Sequence, residues 1–173
     1  MEYAVLGVLC IAFIYVAYRY IGSIIKMRKT NKKAVRYENQ AQNLTTLSKE
    51  SLRDIKTEDK ADIIAAFVAL NCPEEESGLK DFFSETTLNI YYTVKIEEIV
   101  VGFGFNNYFK ACEQEFLKKL CSAYEELDLT EVAAALKQAK TNPNYAKKIY
   151  KQSSAIITEK RNEYIKQNIE KIG

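Results

Sequence analysis

Glu97 and Glu98 are the residues of this 173-residue chain that first raise the question of catalysis. Two carboxylates can share general acid and base work, but only if both face one substrate. Neighbours on a helix diverge by about 100°, so this pair is expected to point apart. The chain has no histidine. That removes the usual base near neutral pH, any Ser-His-Asp or Cys-His arrangement, and the commonest zinc ligand. Cys10 falls in an apolar run, and Cys72, Cys112 and Cys121 lack CxxC spacing. They are expected to be reduced, small buried hydrophobes. No GxGxxG or GKS/T pattern offers a phosphate-binding glycine loop. The residue types therefore predict no metal, no cofactor and no enzyme.

Whatever the chain does, its first residues place it. Tyr3 to Tyr18 carries no charge, and after Arg19 the apolar run resumes to Ile25. As a helix this stretch is about 34 Å long, enough to cross a hydrocarbon core of about 30 Å. Arg19 can snorkel, and Tyr3, Tyr15, Tyr18 and Tyr20 suit the interfacial belts. Six bases follow without an acid: Lys26, Arg28, Lys29, Lys32, Lys33 and Arg36. That asymmetry predicts a single-pass anchor in the inner membrane with the C-terminal portion in the cytoplasm. The same bases are candidates for contact with anionic lipid. A secretory signal peptide fits less well, because Glu2 precedes the run and bulky residues follow it.

The net charge of +2 hides an uneven distribution. Residues 74–131 carry thirteen acids against five bases, and residues 132–173 carry nine bases against three acids. Solvated helix faces account for most such blocks. Of the acids, Glu113, Glu125, Glu126, Asp128 and Glu131 lie on or between two consecutive predicted helices and are the candidate partner-binding residues.

The elements read as helices throughout. Thr57 is expected to cap a helix reaching Asn71, with Ile63, Ile64, Phe67 and Leu70 at helical spacing and Pro73 beyond it. Ser84 or Thr86 opens the next, in which Ile90, Val94, Ile96 and Ile99 face inward. The run Ile90 to Val94 also suits a strand, but Lys95 to Glu98 continues it as helix. Phe109, Phe116, Leu117, Leu120 and Tyr124 form another stripe. Asp128 or Thr130 starts a short helix through Ala139. Thr141-Asn142-Pro143 then introduces a last helix running to about Ile172, with Tyr145, Ile149, Ile156, Tyr164 and Ile165 as core contacts. The expected organisation is an anchor at 1–25, a basic linker at 26–42 and a helical domain at 43–173. In fold class this is all-α, a single transmembrane helix followed by a small cytoplasmic helical domain.

Residues 97–139 carry the most distinctive order: two glycines among aromatics, an amphipathic helix, a polar break and an Ala-rich helix. Gly102 and Gly104 permit a tight turn, with Phe103, Phe105, Tyr108 and Phe109 filling the core beneath it. The stretch resembles a bacterial helical domain of unknown function typified by an acidic DNA-mimic protein. Gly104-Phe105 and Tyr108-Phe109 take the family's Gly-Phe and Tyr-Phe places, and Glu97 or Glu98 its glutamate. Gly102 and Phe103 stand where the family has Asn and Gly, and Asn107 replaces a Gln. The resemblance implies an all-helical domain with a protein-binding role. DNA mimicry itself needs a concentrated negative surface, and the basic C-terminal block and the anchor argue against carrying it over.

The expectation is therefore a membrane-anchored, non-enzymatic protein-binding module, such as an immunity-type inhibitor or an adaptor. The alternatives are a regulator that binds a DNA-binding protein through its acidic surface, and a membrane-tethered enzyme using carboxylates. Direct contact with nucleic acid is not expected.

Overall fold

The computed structural model describes residues 32–71 and 79–173. All regular structure among them is helical. The elements are α1 (32–42), α2 (Thr57–Leu70), α3 (Leu79–Phe82), α4 (Glu85–Phe103), α5 (Phe105–Ala111), α6 (Gln114–Glu126), α7 (Thr130–Lys137), α8 (Pro143–Gln152) and α9 (Ser154–Gln167), with a closing 3-10 turn at Ile169–Lys171. No helix of the described residues is long and apolar enough to cross a membrane. The span expected at residues 3–25 lies outside the described residues.

The fold is built round α4. Leu88, Ile90, Tyr91, Tyr92, Val94 and Ile96 are all buried, as are Thr87, Asn89 and Thr93. A helix apolar on every side must be wrapped by others, which is why Ile90 to Val94 reads equally well as a buried strand. α2, α5, α6 and α9 supply the wrapping. Two devices settle the choice in favour of helix. Ser84 caps α4, its hydroxyl accepting from Thr87 N–H at 3.2 Å. The Thr93 hydroxyl donates back to Ile90 O at 2.9 Å, which satisfies a buried polar group within the helix itself.

Gly104 ends α4 with φ 78° and ψ 143°, a region open essentially to glycine alone. The turn lets α5 fold back with Phe105 and Phe109 buried, their ring centroids 4.5 Å apart. Two parts of the predicted turn differ. Gly102 lies in the last turn of α4, and Phe103 is 71% exposed rather than in the core. The whole end of α4 is exposed, Val101 and Gly102 as well as Phe103, and burial resumes only with Phe105 in α5.

Other boundaries shift for local reasons. The cap of α2 is Lys56, which makes no side-chain bond, and Thr57 is already helical. Asn71 is the C-cap rather than the last residue, its side-chain amide donating to Phe67 O at 2.9 Å. The expected last helix is two, bent at Ser153. Its N–H donates to Ile149 O at 2.9 Å and its carbonyl accepts from Ile157 N–H at 2.8 Å, so hydrogen bonding runs almost unbroken through the bend. Ala146, Tyr150, Ile157, Arg161 and Ile165 form the buried face, leaving Tyr145 and Ile156 exposed.

α1, the described end of the basic linker expected at 26–42, packs against the helices that follow. Ala41 is buried, and Tyr37 lies against the core. The Tyr37 hydroxyl donates to Asp59 Oδ1 at 2.9 Å, and Arg36 pairs with Asp59 at 3.3 Å. At the other end of the chain, Ser84 N–H donates to Gly173 O at 2.6 Å, and Ile172 is buried beside it. That clasp holds the last residues against the start of α4.

Candidate functional site

The carboxylates singled out in the sequence go to different places. Glu97 faces α9, where it forms an ion pair with Arg161, whose side chain is only 5% exposed. The same guanidinium donates to Thr93 O at 3.1 Å. A buried guanidinium needs such a partner, because an unpaired charge in the interior is costly. Glu98 turns the other way, into a cleft of 340 Å³ between α1, α2 and α4. The roughly 100° step between adjacent helical positions thus separates the two glutamates, as expected for residues on one helix.

That cleft is the candidate site. Glu38, Asp62 and Glu98 bring three carboxyls to it, Tyr37 and Tyr91 supply aromatic walls, and Ala34, Ala65, Ala66 and Ala69 leave the space open. Spacing of three and four residues along α2 puts Asp62, Ala65, Ala66 and Ala69 on one face. Lys95 is the single base of the lining, its Nζ 5.1 Å from the centre of the Tyr91 ring. Burial lifts the Asp62 carboxyl above its usual range, against the lowering effect of Arg161. Glu98 is lifted as well, first by burial and then by the charges of Asp62 and Glu38. Burial and mutual repulsion thus raise both carboxyls, and a cation entering the cleft would relieve the repulsion.

Behind the cleft, the Arg161–Glu97 pair borders two buried phenols. Tyr124 and Tyr150 meet edge to face at 6.4 Å. Burial raises both, Tyr150 to about 12 and Tyr124 well above the ordinary phenol range. Arg161 Nε finds no hydrogen-bond partner, and the Tyr124 and Tyr150 hydroxyls have none beyond each other.

The predicted partner-binding acids lie elsewhere, around α6 and α7. Glu113, Glu125, Glu126, Asp128 and Glu131 are all exposed. Two of them are matched by bases from the C-terminal block: Glu125 with Lys137 at 2.6 Å, and Asp128 with Lys160 at 3.2 Å. The fold therefore interleaves the acidic and basic halves of the sequence. Asp128 also has φ 60°, a left-handed position that Asp tolerates in the tight α6–α7 link. Glu113 borders a separate shallow depression with Tyr108 and Phe116. Of the six bases after the apolar run, Lys32, Lys33 and Arg36 fall among the described residues and are exposed. Lys26, Arg28 and Lys29 lie outside them.

Cys112 and Cys121 are buried and unbridged, and burial pushes the Cys121 thiol up to about 11. No group of three or more potential metal ligands gathers among the described residues. Sequence reasoning missed Glu38 and Asp62 because each is one acid on a mixed helix face. Only the packing of α1 on α2 brings them to Glu98. No family model, curated protein or solved structure matches this chain.

Proposed function

We propose that this chain is a non-enzymatic binding module, held at the cytoplasmic face of the inner membrane by residues 3–25, that engages a protein partner as an immunity-type inhibitor or adaptor does. The observation that carries the reading is the acidic, tyrosine-walled cleft of Glu38, Asp62 and Glu98. Its size and charge suit the basic side chain of a partner, whose ammonium or guanidinium would meet under-compensated carboxyls and aromatic faces. The exposed acids of α6 and α7 would steer such a partner at long range. The lining holds no serine, threonine or cysteine to act as a nucleophile. The raised Asp62 and Glu98 favour one second reading, a tethered enzyme using carboxylates. The acidic-surface regulator suggested by the resemblance of residues 97–139 is served less well, because Lys137 and Lys160 break up its negative face.

Affinity capture of the full-length chain from neutral detergent, with the recovered protein identified and its binding measured, tests the reading. Combined Glu38→Gln, Asp62→Asn and Glu98→Gln should weaken the partner by about tenfold or more. Reversing Glu125, Glu126 and Asp128 to Lys should chiefly slow association, with a smaller effect as salt rises. A partner lost only on the second set of changes would move the site to α6 and α7. Binding indifferent to both would overturn the acidic-cleft reading. Retention in the membrane after alkaline carbonate, with a reporter after Gly173 active in the cytoplasm, tests the anchor and its orientation.

A further inference from the structure

A second cleft, of 460 Å³, opens where the 48–56 segment and the start of α2 meet α9. It shares no lining residue with the acidic one, so its ligand is assigned independently of the protein partner. Lys49, Arg53, Lys60 and Lys166 converge on it against one acid, Glu50. Lys49 is engaged by Glu170. Arg53, Lys60 and Lys166 make no ion pair among the described residues. Three cations without an ion-pair partner at one small concavity repel each other, and an anion joining them relieves that repulsion.

The surroundings add to that demand. Thr57, the first helical residue of α2, lines the cleft, and its Lys56 cap offers no side-chain acceptor to the first N–H groups. The positive end of the helix therefore adds to the charge of the bases that line the same cleft. Glu58 and Asp59 lie in that first turn, but Asp59 is held by Tyr37 and Arg36 on the α1 side. Asn162 contributes an amide, and Ile165 and Ile169 form an apolar floor. A guanidinium fork, two ammonium groups and an amide match a compact, doubly charged oxyanion better than a single carboxylate.

We infer that this cleft binds a phosphate group carried on an apolar or ring-shaped body, the phosphate meeting Arg53, Lys60 and Lys166 and the body lying on Ile165 and Ile169. A soluble phosphorylated molecule and a phospholipid headgroup present the same chemistry. The test uses the full-length chain in neutral detergent with phenyl phosphate as the soluble probe, and with phosphatidic acid in mixed micelles as the lipid probe. Saturable binding of phenyl phosphate, weakened about tenfold or more by Arg53→Ala, Lys60→Ala or Lys166→Ala, assigns a soluble ligand. Saturable binding of phosphatidic acid alone, with the same losses, assigns a headgroup. Glu50→Gln should tighten either probe by a few fold, because it removes the one acid of the lining. Lys118→Ala and Lys148→Ala, outside the cleft, should leave binding unchanged. The melting temperature of each variant separates lost binding from lost fold. No saturable binding of either probe, binding that survives all three cleft substitutions, or equal losses at Lys118 and Lys148 would overturn the assignment.

Discussion

The acidic and basic clefts share one helix and use it in opposite ways. Asp62, Ala65, Ala66, Ala69 and Leu70 of α2 line the acidic cleft, whereas Thr57 and Lys60 line the basic one. Lys60 and Asp62 are two positions apart, about 200° round the helix, so they leave opposite faces. The helix dipole works in the same sense at both places. Its positive end lies in the basic cleft, and the acidic cleft reaches its last helical residue, Leu70. The clefts differ from the α6–α7 corner in one respect that bears on binding. At the corner Glu125 and Asp128 are already matched by Lys137 and Lys160. Exposed pairs of that kind contribute only about 0–1 kcal/mol. In the clefts Asp62, Glu98, Arg53, Lys60 and Lys166 make no ion pair among the described residues, and a ligand can supply one.

Arg161 offers the largest perturbation of that contrast. It reaches from α9 to Glu97, and its charge lowers the Asp62 carboxyl, while Lys166 on the same helix serves the basic cleft. Arg161→Ala should cost about 2–4 kcal/mol, from the lost pair, which leaves Glu97 without its partner, the lost extra bond to Thr93 O and the space left behind. Denaturant unfolding of the detergent-held chain would measure it. Under conditions where the variant stays folded, Asp62 should titrate higher still, and phenyl phosphate binding should hold. A cost below about 0.5 kcal/mol would show that the pair does not pin α9 to α4.

Gly104→Val is the control that touches neither cleft. No atom stands within 4 Å of the added Cβ, so the cost is that of the backbone alone, about 1–3 kcal/mol. Thermal melting should show that loss, with cation and phosphate binding by the remaining folded protein unchanged. An unaltered melting temperature would mean that the chain relaxes to another turn.

Asp62→Asn gives the smallest and most specific effect. Because burial raises the folded carboxyl above its unfolded value, the ionised form is the one that opposes folding. Stability from this group is fully present below the unfolded pKa and is lost as pH rises through the folded one. The Asn variant should therefore melt higher than the parent at pH 7, with the gap closing as pH falls towards about 4. A gap that widens on acidification would reverse the sign assigned to Asp62, and with it the case for a cation-seeking cleft.

Much of the scaffold was legible without coordinates because its signals are local. Ser84 before α4, Pro143 opening α8 and Gly104 between α4 and α5 each act through a few bonds of neighbouring backbone. The bend at Ser153 was not, because Ala146, Tyr150, Ile157, Arg161 and Ile165 keep one helical stripe straight through it. The stripe says which face is buried. It does not say whether the axis stays straight.

The sequence by itself determined the all-helical character of the described residues, helix caps and breaks, the lack of a histidine and the divergence of Glu97 from Glu98. Those follow from residue type and from a period of 3.6. Only the tertiary structure decided which charges remain available. Asp59 and Asp62 look alike in the sequence, yet one is tied to Arg36 and Tyr37 and the other faces Glu98 across a cleft. The acidic and basic blocks of the second half cancel in part at the α6–α7 corner, where Lys137 and Lys160 arrive from distant positions. Coulomb energy depends on distance through space, and distances between helices are set by packing that no short stretch of sequence contains.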